Sequence, residues 1–339
     1  MPEASSQPAW LWELLGVSAP EEGGSVLAHG VGLTMLGGIP RAEALVSDAQ
    51  SQTRDAFGFK WAKRDTFEGG VTGHMRSWLA EKYGAGGAAT WLEGLPPSPV
   101  VLDAGCCAAM SGLAFFEPVL DRIRYLGADV STAVDVAARR FAERGREAAF
   151  VQADLMRLPL APESVDVVFS EGVLHHTDDT RAALAAVARL LKRGGRILFY
   201  VYRRKGPVRE FTDDYVREKL QAMTPEEGWA AMEPLTRLGV ALGELRVELD
   251  VPEDVELLGI PAGKIDLQRF FYWHVCKAFY RPDMTFDEMN HINYDWFAPR
   301  NAHRQSPEDV RRWCGELDLV VEHETVEASG ITIVARRAG

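Results

Sequence analysis

The chain has 339 residues, 47% hydrophobic and 25% charged, an ordinary balance for a folded globular protein of one large domain or two smaller ones. Its formal net charge is -12 and its pI about 5.2, so it lacks the basic footprint that phosphate backbones require, and nucleic acid is not expected as a partner. Met1-Pro2-Glu3-Ala4 lacks the basic start and apolar run of a signal peptide, and no apolar stretch reaches bilayer length, so a cytoplasmic protein without a membrane partner is expected.

Residues 1–98 read as an N-terminal arm and helical lead-in. Pro8 to Leu15 suits a short amphipathic helix, and Gly23 to Ile39 is rich in glycine and small apolar residues without evident chemistry. Ser47 to Trp61 predicts a helix ending at Gly58, with Phe57, Phe59 and Trp61 as apolar anchors. Val71 to Tyr83 predicts a second helix with Met75, Trp78, Leu79 and Tyr83 on one face. Gly84 to Pro99 is a connector.

Next comes the stretch Pro99 to Gly112, P-V-V-L-D-A-G-C-C-A-A-M-S-G. Val100 to Leu102 is a short buried strand, Asp103 closes it, Ala104-Gly105 turns the chain, and Leu113 to Phe116 starts a helix. Strand, glycine turn and helix open a nucleotide-binding βαβ unit. Arg122 to Ala128 predicts a second strand ending at Asp129, and Ser131 to Arg144 a helix. Further strands are expected at Ala149 to Gln152, Ser164 to Ser170 and Arg196 to Tyr202, with a helix at Thr180 to Leu191 stopped by Gly194-Gly195. This rhythm implies a doubly wound, mostly parallel sheet. It pauses over residues 203–304. It resumes with a helix capped by Ser306 and started by Pro307, then two strands, Leu319 to Val326 and Ile331 to Arg336, forming an antiparallel hairpin.

Four acids fall at or just beyond strand ends: Asp103, Asp129, Asp154 and Glu171. Ligands of open α/β sheets bind outside those ends. Asp129 can accept hydrogen bonds from ribose hydroxyls, and it can also cap the helix beginning near Ser131. The four cysteines, Cys106, Cys107, Cys276 and Cys314, show no C-x-x-C spacing, so neither a zinc site nor a disulfide framework is indicated.

The blocks D-A-G-C-C-A-A, G-A-D-V-S, Q-A-D-L-M-R-L-P-L, S-V-D-V-V-F-S-E-G-V-L-H-H-T and L-L-K-R-G-G-R-I-L-F-Y resemble those of class I S-adenosylmethionine-dependent methyltransferases. The resemblance covers residues 99–202 and the closing hairpin. It implies a seven-stranded Rossmann-like sheet with S-adenosylmethionine as cofactor. Residues 99–202 would be its binding core, 203–304 an inserted substrate cap, and 305–339 the last helix and strands of the core. By resemblance Gly105 would line the methionine portion, Asp129 would hold the ribose, Asp154 the adenine amino group, and Leu155 would offer its N–H to the ring. Asp103, Ala104, Cys107 and Val130 would complete the cofactor wall, and Glu171 would face the reactive end. The family pattern G-x-G-x-G departs here: Cys107 holds its second place and Ala109 its third. A buried cysteine usually behaves as a small hydrophobe.

His175 and His176 follow the fourth strand. The first reads as a packed residue; the second could orient a substrate or take its proton. Tyr272, Asn293 and Tyr294, in the aromatic runs of the insertion, could fix a small polar substrate, and aromatic faces suit a sulfonium. These aromatics could equally be the core of the cap. His274, His291 and His303 lack the spacing of a metal pair. The expected activity is methyl transfer to O, N or C of a small metabolite in a biosynthetic, secondary-metabolic pathway. The alternative is closure of S-adenosylmethionine on itself to azetidine-2-carboxylate with loss of methylthioadenosine. A catalytically silent binding protein is a third reading, opposed by the intact acids. Oligomeric state is open.

Overall fold

The computed structural model describes residues 7–43, 47–62, 71–84 and 86–339. The opening Met1-Pro2-Glu3-Ala4 lies outside them. The chain begins with helix α1 (Ala9–Leu15) and three short strands, β1 (Ser25–Ala28), β2 (Val31–Leu36) and β3 (Ile39–Ala42). Helices α2 (Asp48–Ala62), α3 (Val71–Lys82) and α4 (Gly87–Trp91) lead to the core. Then β4 (Val100–Ala104), α5 (Met110–Phe116), β5 (Arg124–Asp129), α6 (Ala133–Glu143) and β6 (Ala149–Gln152) alternate. They continue as β7 (Val165–Glu171), α7 (Thr180–Ala188) and β8 (Leu191–Tyr202).

The insertion holds α8 (Pro207–Leu220), α9 (Pro225–Glu244), a small hairpin of β9 (Glu248–Val251) and β10 (Gly263–Asp266), α10 (Leu267–His274) and α11 (Phe286–Phe297). Helix α12 (Pro307–Glu316) and strands β11 (Leu319–Val326) and β12 (Gly330–Arg337) return to the core. Ser306 accepts from the Asp309 N–H at 3.1 Å, the N-cap its sequence predicts.

Among the described residues the main sheet has ten strands in the order β1-β2-β3-β6-β5-β4-β7-β8-β12-β11. The stretch from β6 to β11 is the expected Rossmann-like sheet: parallel from β6 to β8, with β12 antiparallel to β8 and β11 antiparallel to β12. The other three strands correct the sequence reading, which made the arm helical. Residues 25–42 form a meander that extends the sheet, β3 pairing with β6 at Arg41 and Gln152. Ala28, Leu33 and Met35 face inward while Leu27 and Leu36 stay exposed. That alternation is the strand period.

Two other boundaries shift. Helix α2 runs through Gly58, where a Cβ would make only an ordinary 3.5 Å contact with Thr132 Oγ1, so the glycine neither turns nor ends the helix. Gly194 and Gly195 lie inside β8; Gly194 has φ +78°, and the register slips between Val165 and Val167 of β7, so the pair forms a bulge.

Successive residues of the central strands feed two cores. Leu102, Leu126, Val168 and Ile197 pack with Trp12, Leu184 and Val310. Val101, Tyr125, Phe169 and Leu198 pack with Leu79, Phe115 and Phe141 on the other face. Phe169 is fully buried and stacks on Phe115 at 5.5 Å; a side chain so buried contributes about 1.5–3 kcal/mol. A third cluster, including Met232, Tyr294, Trp296 and Phe297, seats the insertion against Tyr200 and Tyr202 of β8. No helix among the described residues is long and apolar enough to cross a membrane.

Candidate active site

A parallel sheet presents its strand ends to one side, and here the predicted acids meet there. Gly105 after β4, Asp129 at the end of β5, Asp154 after β6 and Glu171 at the end of β7 line one cavity of about 260 Å³. Cys107, Val130, Leu155 and His176 line it too. Helix α2 forms the facing wall with Gln50, Thr53, Phe57, Lys60 and Trp61.

The turn after β4 sets the geometry. Gly105 has φ +83°, and a Cβ there would lie 2.2 Å from Val173 Cγ1, so only glycine fits. Cys107 and Ala109 have φ of +47° and +55°, left-handed conformations that side chains adopt at a cost. These are the glycine places of the family pattern, so the backbone keeps its course although the residues changed. The Cys107 N–H donates to Asp129 Oδ2 at 2.9 Å. Asp129 Oδ1 accepts from the Ser131 N–H at 2.8 Å and its hydroxyl at 2.6 Å, and Ser131 Oγ accepts from the Ala133 N–H at 3.2 Å. Asp129 therefore braces both the turn and the start of α6 while lining the cavity. Burial pushes the Cys107 thiol well above its usual range, which keeps it protonated and poorly nucleophilic.

Two expected wall residues lie behind the cavity. Asp103 accepts a hydrogen bond from the Tyr125 hydroxyl, and burial raises its carboxyl to about 7. Ala104 is fully buried, its carbonyl accepting from Ser170 Oγ at 2.9 Å. Both support the turn from beneath. Asp154 lines the cavity as the N-cap of a short turn, accepting from the Met156 N–H at 2.9 Å, and burial raises its carboxyl.

Glu171 is not a free carboxylate. Lys82 donates to one of its oxygens and the Tyr83 hydroxyl to the other. Lys82 also lies 3.4 Å from the Tyr200 ring centroid. Burial lowers the Lys82 pKa although Glu171 opposes the shift, and burial lifts that of Tyr83 well above its usual value.

His176 is buried. Its Nδ1 is 2.6 Å from the Asn301 carbonyl, which can only accept, so Nδ1 carries the proton and Nε2 the lone pair. Nε2 has no hydrogen-bond partner among the described residues, and burial lowers the ring to about 4. His175 is fully buried on Tyr202, ring centroids 3.7 Å apart, and does not line the cavity, in keeping with a packing role. On α2, Lys60 bonds Asp295 and lies 4.0 Å from the Trp61 ring centroid. Burial pushes the Asp295 carboxyl up, but Lys60 and Lys277 outweigh it and hold it at about 2.

The three expected cap residues sit elsewhere. Asn293 is fully buried, accepting from the Phe279 N–H at 3.0 Å and donating to Thr236 Oγ1 at 2.9 Å, and so ties α11 to α9. Tyr294 packs in the cap core between Phe59 and Trp229, with centroids 5.8 and 5.5 Å away. Tyr272 lines an adjoining cavity, together with Tyr200 and Tyr202. For Asn293 and Tyr294 the plainer reading, the internal packing of the cap, describes the geometry.

Sequence reasoning missed Lys60, Lys82, Tyr83 and Asp295. Two signals were present. Gln50, Thr53, Arg54, Phe57, Lys60 and Trp61 recur at helical spacing, one stripe of α2 facing the cavity. Lys82 and Tyr83 end a helix whose apolar face is plain from its spacing, but their partnership with Glu171 is purely tertiary. Among the described residues no group of three or more His, Cys, Asp or Glu is placed to hold a metal.

Residues 102–199 match a family profile described as a methyltransferase domain. The chain is 37% identical over 100 residues to the uncharacterized methyltransferase YcgJ of Bacillus subtilis, covering 29% of this chain and 38% of that protein. It is 32% identical over 156 residues to the malonyl-[acyl-carrier protein] O-methyltransferase of Serratia marcescens, 45% of this chain and 55% of that one. It is 30% identical over 139 residues to the tRNA (carboxymethyluridine(34)-5-O)-methyltransferase alkbh8 of Xenopus tropicalis, 40% of this chain and 20% of that one. The chain thus spans between a fifth and about half of these relatives. The matched segment contains the strand-end acids and the turn just described, so over residues 102–199 the chain is similar to the methyltransferase domain of these relatives.

Proposed function

We propose that this chain transfers a methyl group from S-adenosylmethionine to a small metabolite of a biosynthetic route, using the cavity at the strand ends. The observation that carries this reading is the convergence of Gly105, Asp129, Asp154, Leu155 and Glu171 on one cavity inside the methyltransferase segment. The residues present fit the cofactor: carboxylates for hydroxyl and amino groups, a turn at which no Cβ is tolerated, and aromatic faces on α2 and α3. Bound there, S-adenosylmethionine would supply an electrophilic methyl group on a sulfonium.

Asp129 would receive the ribose hydroxyls, and Asp154 with the Leu155 N–H would receive the adenine edge. Lys60 would offer its charge to the methionine carboxylate. Phe57, Trp61 and Trp78 would shelter the sulfonium. Because Lys82 neutralises Glu171, that carboxylate serves here as a positioning group and Tyr83 as its brace. His176 Nε2, buried and without a hydrogen-bond partner among the described residues, would accept a proton or a hydrogen bond from an acceptor group that enters the strand-end cavity and reaches it. The protein contributes mainly alignment and exclusion of water. The net charge of -12 favours a small acceptor over the tRNA named for one relative.

Nucleoside analysis by chromatography with mass detection tests this. Protein with S-adenosylmethionine alone should release little product; small-molecule extract containing the acceptor should drive S-adenosylhomocysteine release. Rapid methylthioadenosine release without extract would reject methyl transfer in favour of closure of the cofactor.

A further inference from the structure

Beside the strand-end cavity lies a larger one, of about 640 Å³, and the two share Trp78, Tyr200 and Tyr202. Its walls come from α3, the end of β8, α8, α10 and α11. Tyr272, Trp273 and Trp296 make the rest of its aromatic lining. The cations in it are unevenly matched. Arg209 is held by Asp213 at 2.8 Å, and Arg281 by Asp283. Lys277 is 7% exposed and has neither a hydrogen bond nor an ion pair among the described residues; its ammonium lies 4.6 Å from the Trp296 ring centroid. Among the described residues the Lys205 ammonium donates to neutral carbonyls, those of Arg203 at 2.7 Å and Ser329 at 2.9 Å.

The nearby acids are already engaged. Asp213 serves Arg209, Asp295 serves Lys60, and Glu210 serves Arg304 at 2.8 Å. Glu81, the carboxylate of the lining, is exposed. A buried ammonium with no bonded counter-charge of its own is costly, and an anion brought by a ligand reduces that cost. Burial lowers Lys277 to about 8 although the shared charge of Asp295, and that of Asp213, oppose the shift, and burial with the Arg209 charge lowers Lys205 to about 7.

We propose that this adjoining cavity is the acceptor site and that it takes an aromatic small molecule carrying a carboxylate or phosphate, the anion on Lys277 and Lys205 and the ring among the tyrosines and tryptophans. This rests on the reading of the strand-end cavity as the S-adenosylmethionine site, because the shared Trp78, Tyr200 and Tyr202 wall is what brings the two ligands together. Lys277 is then the specificity determinant.

The test is calorimetric titration of the full chain saturated with S-adenosylhomocysteine. Two matched probe pairs are used: 4-hydroxybenzoate against 4-hydroxybenzamide, and phenyl phosphate against phenol. At least one anion should bind tenfold or more tightly than its neutral partner, and whichever does identifies the head group. Lys277→Met should abolish the preference, Lys277→Arg should retain it, and both should bind S-adenosylhomocysteine as the parent does. Lys205→Met should weaken the same anion and serves if Lys277→Met fails to fold. No preference in the parent, or a preference surviving both Met variants, overturns the proposal. Failure of the parent to bind S-adenosylhomocysteine, seen before any probe is added, rejects the underlying cofactor reading instead.

Discussion

Replacing Lys82 with Met removes one charge from the Lys82–Glu171–Tyr83 cluster and keeps most of the side chain's volume and its contact with the Tyr200 ring. Both charged side chains are deeply buried, 2% and 8% exposed. Removing one partner of such a pair strands the other charge and costs about 3–5 kcal/mol. That is a large part of a stability usually near 5–15 kcal/mol. Glu171→Gln alone strands the ammonium and should cost a similar amount. The double variant strands nothing, and its amide carbonyl can still accept from the Tyr83 hydroxyl, so it should lie within about 2 kcal/mol of the parent. Urea unfolding of the four proteins yields the coupling energy directly. Additive losses, or a Lys82→Met loss under about 1 kcal/mol, would refute the buried, mutually neutralising pair, and with it the argument that Glu171 is not a free base.

Gly105→Ala should destabilise by about 2 kcal/mol or more, because its Cβ would meet Val173 Cγ1 at 2.2 Å and its φ of +83° disfavours a side chain; Val173→Ala in the same chain should recover part of the loss in thermal unfolding. Asp103 has its folded-state pKa raised to about 7, above an unfolded value near 3.9, so its contribution is present at low pH and is lost as pH rises through that window. Asp103→Asn should therefore flatten the stability profile, gaining on the order of 1–3 kcal/mol relative to the parent between pH 5 and pH 8 in urea unfolding.

The parts of this fold that local chemistry dictates are legible in the amino-acid sequence. The apolar runs of β4, β6 and β7 are buried on both faces, so they read as strands without alternation, and their acids fall at strand ends because the chain leaves the sheet there. Ser306-Pro307 marks the start of α12 by capping alone. The meander at residues 25–42 is not legible. Its strands are four to six residues long, punctuated by glycine and by Pro40, and they are held by tertiary contacts, β3 pairing with β6 and Ala28, Leu33 and Met35 joining the core. Gly58 and Gly194 mislead for one reason: a glycine ends an element only where the chain must turn, and one lies within a continuous helix while the other bulges a strand. Half the site is legible because its acids travel with a strand–turn–helix motif. The pairings of Lys60 with Asp295 and of Lys82 with Glu171 are not legible, since they arise from elements meeting in space. Asn293 and Tyr294 mislead because a polar or aromatic side chain in a cap packs inward as readily as it faces a substrate.

If the strand-end cavity holds S-adenosylmethionine through Asp129, calorimetric titration with S-adenosylhomocysteine will register the loss of that carboxylate. Asp129→Asn removes the charge that would receive the ribose hydroxyls, and charge-assisted bonds contribute about 1.5–3 kcal/mol each. Asn can still accept from Ser131 but loses the bond from the Cys107 N–H, so circular dichroism and unfolding are run beside the titration and only a folded variant is compared. The parent should bind S-adenosylhomocysteine, and the folded variant should bind it at least tenfold more weakly. Unchanged affinity in a folded Asp129→Asn protein would contradict the placement of the cofactor and the function built on it.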